Sequence, residues 1–293
     1  MMTTRFWGTR GSIATPGRST LRYGGNTSCV EVRADNQILV FDAGTGIRGL
    51  GIRLLEEFDK KPFSIHIFIS HTHWDHIQGF PFFLPAYDKT NKISVYGPPG
   101  HNKSFQKILQ IQMEAEYFPV SLGDMSQEIR ITELTDTLKL DKVTVQPFFL
   151  NHPGMTFAYR VSDGKRSIVY ATDNEPYRYT LHQSNAKKKQ EDLGEFLDEK
   201  FIDFLQDADL YIGEAQYTLD EYKQKLGWGH SPIDSVAEWA VRANVKRLAI
   251  FHHDPLHNDA TVDRIVKHAR RLVKNMGGKT ECFGAKEGLQ IKL

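Results

Sequence analysis

The sequence predicts an α/β fold, because short apolar strands alternate with helical stretches along all 293 residues. Histidines and aspartates follow the ends of several predicted strands, which is where α/β sheets keep their chemistry. Hydrophobic residues make up 40% of the chain and aromatic residues 11%, so the chain can bury a sizeable core. No repeat or low-complexity linker divides it. We therefore expect one domain over residues 1–293, with an insertion at about residues 177–204.

Strands are predicted at short runs rich in β-branched and aromatic residues. They are Cys29 to Val32, Ile38 to Phe41, Ile65 to Ile69, Ile93 to Tyr96, Val143 to Phe149, Thr156 to Val161, Ser167 to Ala171, Leu210 to Gly213 and Leu248 to Phe251. The predicted helices are Ile47 to Phe58, Lys103 to Glu116, Ile233 to Ala243 and Thr261 to Lys274. Ser231 and Pro232 favour a helix start before the third of these, because serine caps helices and proline suits their first turn.

The most informative motif is HTHWDH at residues 71–76, directly after a predicted strand. Three histidines within six residues are improbable by chance when the whole chain has 12. Imidazole and carboxylate groups are ligands of Zn²⁺, Mn²⁺ and Fe²⁺. His71 and His73, two positions apart, can point at one ion, and Asp75 and His76 can reach a neighbouring ion. The spacing therefore indicates two metal ions.

Three further candidate ligands follow predicted strands in the same way. His152 follows the apolar stretch from Val143, Asp173 follows the strand ending at Ala171, and His252 follows the strand ending at Phe251. We expect these side chains to lie at the same edge as the HTHWDH motif.

A pattern HxHxDH followed by a lone His, a lone Asp and a lone His resembles the metallo-β-lactamase superfamily, and all seven positions are present here in that order. The resemblance implies a four-layer αββα sandwich with the metals at one rim. The implied ligands are His71, His73 and His152 for one metal, Asp75, His76 and His252 for the other, and Asp173 as the bridge. The implied cofactors are two divalent transition-metal ions, with zinc as the first choice and manganese or iron as alternatives.

Two neighbouring positions need separate interpretation. The family's last ligand directly follows the final apolar strand, which favours His252 over His253 and leaves His253 in the surroundings of the site. Asp42, in FDAGTG, matches a family aspartate that steadies the ligand loop through hydrogen bonds. A turn residue before Gly44 is the alternative for Asp42.

A second pair of residues narrows the function. Glu214 in GEAQYT and His230 in GWGHSP resemble the HEAT and GHST motifs of tRNase Z, whose Glu and His pass a proton to the leaving oxygen. Gly213 replaces the histidine of HEAT, which is not a member of the Glu–His pair, and Pro232 replaces the threonine of GHST. A phosphodiesterase gains from an imidazolium that protonates a departing alkoxide. We expect Glu214 to orient the ring of His230 and to raise its pKa.

These features predict a dinuclear metal-dependent phosphodiesterase that hydrolyses a small nucleotide, such as a cyclic mononucleotide. Two metals roughly 3.5 to 4 Å apart can activate water near neutral pH and hold the oxygens of an in-line displacement. Asp75 would both bind a metal and orient the attacking oxygen. One alternative is a tRNA 3′-end endonuclease. Another is a carboxyl-ester, thioester or lactone hydrolase, which shares the metals but does not need the proton shuttle.

A small-molecule phosphodiester is predicted as the partner, without a stable nucleic acid complex and without a membrane. In tRNase Z a long arm that grips tRNA is inserted between the lone His and the bridging Asp, whereas His152 and Asp173 are only 21 positions apart. The net charge is +1, from 37 basic and 36 acidic residues, which predicts no broad basic surface. The insertion at about residues 177–204 resembles a lid or a homodimer contact.

Other residues near the motifs have two possible roles. Arg10 and Asn26 lie in glycine-rich segments and are either substrate contacts or parts of simple connections. The aromatic residues near the motifs can stack on a base or belong to the core, and they are Trp7, Trp74, Phe80, Phe82, Phe83 and Trp228.

The expected compartment is the cytoplasm. The N-terminal residues lack the apolar segment of a signal peptide. Cys29 and Cys282 are too few for a disulfide framework, so we expect both to be reduced.

Overall fold

Two seven-stranded sheets pack face to face in the computed structural model, which describes residues 1–59, 61–125, 128–181 and 188–293. Helices cover the outer face of each sheet. The predicted four-layer αββα sandwich is therefore confirmed.

The first sheet is built mainly from the N-terminal half of the chain. Its strands are, in spatial order, β14 (Gln290–Lys292), β1 (Met2–Gly8), β2 (Cys29–Ala34), β3 (Gln37–Phe41), β4 (Ser64–Phe68), β5 (Lys92–Gly97) and β6 (Ile129–Glu133). The strands from β3 to β6 run parallel, so their carboxyl ends share one edge.

The second sheet comes from the C-terminal half. Its strands are, in spatial order, β13 (Glu281–Gly284), β12 (Arg247–Phe251), β11 (Leu210–Glu214), β10 (Ser167–Ala171), β9 (Phe157–Ser162), β8 (Val143–Phe149) and β7 (Leu138–Leu140). The strands β10, β11, β12 and β13 are parallel, and their carboxyl ends also lie at one edge.

Helices lie between many of the strands along the chain. They are α1 (Ile47–Phe58), α2 (Trp74–Ile77), α3 (Phe105–Ile111), α4 (Tyr177–Thr180), α5 (Lys188–Leu205), α6 (Leu219–Tyr222), α7 (Ile233–Arg242) and α8 (Asp259–Asn275). α1 and α3 pack on the first sheet, and α5, α7 and α8 pack on the second.

The space between the sheets is filled largely by aromatic side chains. The ring of Phe41 lies 5.4 Å from that of Phe68, 5.8 Å from Tyr159 and 5.4 Å from Tyr170, measured between centroids. All four side chains are buried. Burial of such large rings contributes much of the stability of the sandwich, and it fixes the two sheets relative to each other.

The predicted elements are all present, with differences at their ends. The helix expected from Lys103 to Glu116 is shorter, because Ser104 caps its first turn by accepting a hydrogen bond from the amide of Lys107 and the helix ends at Ile111. β1, β6, β7, β13 and β14 were not predicted. The expected insertion at about residues 177–204 contains α4 and most of α5, and its residues 182–187 lie outside the described residues.

None of the helices in the described ranges combines the length and apolar character needed to cross a bilayer.

Candidate metal centre

The carboxyl ends of strands from both sheets meet at one rim. HTHWDH begins three residues after β4, and Asp173 and His252 follow β10 and β12 within two residues. His152 comes three residues after β8. The sandwich therefore brings together side chains that are up to 181 positions apart in the sequence.

Three residues at the rim have left-handed backbone conformations, with φ of 61° at Asp42, 53° at Asp173 and 55° at His252. Aspartate and histidine are among the side chains that adopt this region more readily than others. Such a residue turns the chain sharply at the end of a strand, and the surrounding packing must maintain the conformation. The strained turns point these side chains into the site.

The first cluster consists of His71, His73, His152 and Asp173, whose ligand atoms all lie within 4.8 Å of one another. Nε2 of His71 is 3.3 Å from Oδ2 of Asp173, and Nε2 of His152 is 3.7 Å from the same oxygen. Nε2 of His152 is 3.1 Å from Nδ1 of His73. His73 is the exposed member, so the cluster opens to solvent on its side.

The second cluster consists of Asp75, His76 and His252, all buried. Oδ2 of Asp75 is 3.1 Å from Nε2 of His76 and 3.2 Å from Nε2 of His252. Asp173 also borders this cluster, because its Oδ1 is 3.1 Å from Nε2 of His252. The carboxylate of Asp173 thus lies between the two clusters.

The donor atoms fit divalent metal ions. Nε2 of His71 is buried, lacks a hydrogen-bond partner among the described residues and faces Asp173. Although burial lowers the pKa of a histidine, the carboxylates Asp75, Asp173 and Asp42 raise that of His76 well above its ordinary value. Three carboxylates around one buried imidazole ring favour a positive charge between them, and a bound metal cation would supply that charge.

Burial alone would raise the pKa of Asp75 and of Asp173, but the neighbouring histidines hold both well below the ordinary range. Burial and the neighbouring His76 lower the pKa of His71 well below its ordinary value. Ionised carboxylates and neutral imidazoles are the forms that bind metals.

A buried hydrogen-bond network orients the HTHWDH loop. Asp42 accepts hydrogen bonds from the amide of Ser70 at 2.6 Å, from Oγ of Ser70 at 2.8 Å and from the hydroxyl of Tyr170 at 2.6 Å. It also accepts one from Nδ1 of His76 at 2.7 Å, which leaves Nε2 of His76 free to face the site. Of the two interpretations of Asp42, the geometry fits the steadying role.

Other ligands are oriented in the same manner. Nδ1 of His152 donates to the carbonyl of Gly229 at 2.8 Å, and Nδ1 of His252 donates to Oε1 of Gln216 at 2.9 Å. Oδ2 of Asp75 accepts a hydrogen bond from the amide of Ser12 at 2.7 Å. In each histidine the remaining Nε2 faces the cluster.

Glu214 and His230 are both buried beside the clusters, but they do not form the expected hydrogen bond. Nδ1 of His230 is 3.9 Å from Oε2 of Glu214, and it has no partner among the described residues. Glu214 accepts hydrogen bonds from the amides of Asn174, Gln216 and Ser231. Burial lowers the pKa of His230 to about 3, so the expectation that Glu214 raises this pKa is not met.

Glu175 is a site residue that the sequence did not reveal. Its buried carboxylate accepts hydrogen bonds from the hydroxyl of Tyr222 and from the amides of Gly227 and Gly229, each at 2.8 Å. It thereby fixes the loop that leads to His230. Its partners are about 50 positions away, so no local pattern could identify it.

Arg10, Asn26 and His253 are parts of the scaffold. Arg10 is fully buried and donates to the carbonyls of Gly24, Asp254 and His257. Asn26 binds both oxygens of Glu287, and the ring of His253 lies 2.9 Å from the carbonyl of Ala285. These contacts engage the side chains within the protein rather than at the open side of the site.

Comparisons with known proteins agree with this architecture. A family model described as a beta-lactamase superfamily domain matches residues 37–253. Ribonuclease Z of Picrophilus torridus is 25% identical in an alignment that covers 87% of this chain and 86% of that protein.

Two solved structures share the fold over nearly their whole length. The short form of human tRNase Z has a TM-score of 0.61 and 19% identity, with coverage of 99% of this chain and 98% of the human chain. Yeast PDE1 has a TM-score of 0.69 and 15% identity, with coverage of 100% and 99%.

The expected partner was wrong. A small-molecule substrate without nucleic acid binding conflicts with relatives named ribonuclease Z that match most of this chain. β9 and β10 do fill the interval between His152 and Asp173. However, a missing arm excludes only one way of holding RNA, and a net charge near zero does not describe the local surface around the site.

Proposed function

This chain belongs to the beta-lactamase superfamily. From its similarity to relatives named ribonuclease Z, we propose that it is a dinuclear metal-dependent phosphodiesterase that cleaves RNA. The metal-dependent hydrolase class follows from the family. The RNA substrate is our proposal, and the ribonuclease Z names of the relatives support it.

Two divalent ions are proposed to bind in the two clusters, with Asp173 shared between them. Bound there, such ions would polarise the phosphate oxygens and lower the pKa of a water molecule, as dinuclear sites do in other phosphodiesterases. Zinc is the first candidate because the two clusters together offer five imidazole ligands, which suit it, and manganese and iron are alternatives.

Asp75 is proposed to orient the attacking water. Its Oδ2 is fixed by the amide of Ser12 and faces His76 and His252, so the carboxylate cannot turn away. A positioned carboxylate can accept a hydrogen bond from the nucleophile and hold it in line with the phosphorus atom.

His230 and Glu214 are proposed to deliver the proton to the leaving oxygen. Ligand atoms of His230, Asp173 and His252 lie within 4.8 Å of one another, so the His230 ring faces the reaction space. A negatively charged phosphate beside the ring would oppose the desolvation that lowers the pKa of His230. Catalytic hydrogen bonds often form only when substrate binds, and we propose that the 3.9 Å gap between Nδ1 of His230 and Oε2 of Glu214 closes at that stage.

The buried, free Cys29 and Cys282 are compatible with the reducing cytoplasm, which we propose as the compartment.

A substrate panel tests the proposed function. The protein, loaded in turn with Zn²⁺, Mn²⁺ and Fe²⁺, is assayed on a precursor tRNA with a 3′ trailer, a single-stranded RNA, bis(p-nitrophenyl) phosphate, cyclic nucleotides, a thioester and a lactam. We expect RNA cleavage together with hydrolysis of the p-nitrophenyl diester. Cleavage of cyclic nucleotides without RNA would reject the RNA substrate, and activity on the thioester or lactam alone would reject the phosphodiesterase.

A further inference from the structure

The aromatic residues near the motifs differ sharply in exposure. Phe80 and Phe83 are fully buried in the core. Trp7 donates to Glu31 at 2.9 Å and is covered by Arg5. Trp74 and Trp228, in contrast, are 80% and 59% exposed. A single exposed aromatic residue needs no explanation, so the argument depends on where these two tryptophans lie.

Both tryptophans are sequence neighbours of residues that form or orient the first cluster. Trp74 directly follows His73, whose Nδ1 is 3.1 Å from Nε2 of His152. Trp228 directly precedes Gly229, whose carbonyl accepts the hydrogen bond from Nδ1 of His152. His73 is the exposed residue among the seven candidate ligands. Both tryptophans therefore lie on chain segments that border the first cluster, one next to its exposed member His73 and the other next to the carbonyl that orients His152.

A lysine ammonium group lies over the ring of Trp228. Nζ of Lys225 is 4.4 Å from the centroid of the Trp228 ring and 5.3 Å from that of Tyr217. A cleft of about 270 Å³ beside the HTHWDH loop is lined by Thr72 and by Lys103, among others. An exposed indole beside a lysine complements single-stranded nucleic acid, whose bases stack while its phosphates bind cations.

We propose that Trp74 and Trp228 stack on the unpaired bases next to the scissile phosphate of a single-stranded RNA segment, and that Lys225 contacts a neighbouring phosphate. This inference rests on the proposed RNA cleavage and specifies how the substrate is held. Stacking tolerates any base, so we expect little sequence preference at these positions. Base stacking would also hold the RNA substrate without an arm inserted between His152 and Asp173.

The test compares Trp74→Ala and Trp228→Ala with Phe196→Ala, which removes a 54% exposed aromatic ring on α5. We expect each tryptophan variant to lower kcat/KM on single-stranded RNA by about tenfold. The loss on bis(p-nitrophenyl) phosphate, which has no bases, should be much smaller. Trp74→Tyr and Trp228→Tyr should restore most of the RNA activity, because a tyrosine ring also stacks. Metal content is measured for every variant.

A salt titration tests the lysine separately. Lys225→Ala should reduce the slope of log Kd against log salt for RNA by about one, and Lys225→Arg should not. For the tryptophan variants, two results would contradict the proposed stacking: a loss of kcat/KM on RNA no larger than the loss on bis(p-nitrophenyl) phosphate, or a loss equal to that of Phe196→Ala. Either result would leave the proposed RNA phosphodiesterase activity intact. A wild-type protein that hydrolyses the p-nitrophenyl diester but no RNA would contradict both the proposed stacking and the proposed RNA cleavage.

Discussion

At the scale of single residues, the site depends on residues that both adopt an unusual backbone conformation and make the polar contacts of the site. Asp173 and His252 combine left-handed backbone with positions in the clusters, and Asp42, also left-handed, accepts hydrogen bonds from Ser70 and His76. An alanine at any of these positions would lose the polar contacts and would still have to adopt the strained conformation. Their contributions to the local turn and to the site are therefore coupled.

Asp173→Ala should abolish the binding of both metal ions, because its carboxylate borders both clusters at 3.1 to 3.7 Å from four histidines. Elemental analysis of purified protein is the measurement, with about two ions per chain expected for the wild type. Asp203→Ala, which removes a 69% exposed carboxylate on α5, is the control and should keep both ions. A wild-type protein that is fully active with one ion would contradict the dinuclear proposal.

His230→Ala should keep its metals and lose about 10² to 10⁴-fold in kcat on RNA, because an alkoxide leaves poorly without a proton. The loss on bis(p-nitrophenyl) phosphate should be much smaller, since p-nitrophenolate hardly needs protonation. Steady-state kinetics on both substrates gives the comparison. Equal losses would mean that His230 positions the substrate or supports the loop instead of donating a proton.

At the scale of elements, the loop between α6 and α7 is held from two sides. Glu175 binds the amides of Gly227 and Gly229, and His152 binds the carbonyl of Gly229. The loop ends at Ser231, whose amide donates to Glu214 at 2.6 Å. One segment therefore orients a metal ligand and positions His230.

Two glycines of this loop provide a matched pair. Gly227 and Gly229 have φ of 85° and 84°, so alanine is strained equally at both. A Cβ at position 229 would lie 2.1 Å from Nδ1 of His152, whereas at position 227 it would meet nothing within 4 Å.

Gly229→Ala should therefore displace His152 and lose metal from the first cluster, with a large fall in activity. Gly227→Ala should keep its metal and cost only about 1 kcal/mol of stability from the strained backbone. Metal content, activity and thermal unfolding of both variants are measured together. Equal metal loss in the two variants would show that backbone strain, and not contact with His152, is responsible.

At the scale of the whole molecule, the metal site joins the two sheets. The HTHWDH loop leaves the first sheet, and His152, Asp173 and His252 leave the second. Ions bound at this rim would bind the native arrangement much more tightly than the unfolded chain, so they should stabilise the fold.

Removal of the metals with a chelator should lower the melting temperature. At a metal concentration 100 times Kd, each bound ion adds about 2.7 kcal/mol of stability, which corresponds to roughly 5 °C per ion for a chain of this size. Calorimetry of the metal-loaded and chelated protein is the measurement. Asp173→Ala should show no such difference, and an equal melting temperature for the wild type in both states would contradict the coupling.

The sequence by itself determined the α/β class, most strand positions and the candidate ligands, because apolar periodicity and a compact HTHWDH motif are local signals, and the resemblance carried by that motif implied the sandwich. It could not identify Glu175, whose partners are distant in the chain, or assign Arg10 and Asn26 to the scaffold, because only packing decides which side of a turn is buried. It also missed β1 and β14, which pair with each other across almost the entire chain. Tertiary structure decided that Trp74 and Trp228 are exposed, since exposure depends on the neighbours that the fold supplies and not on residue type.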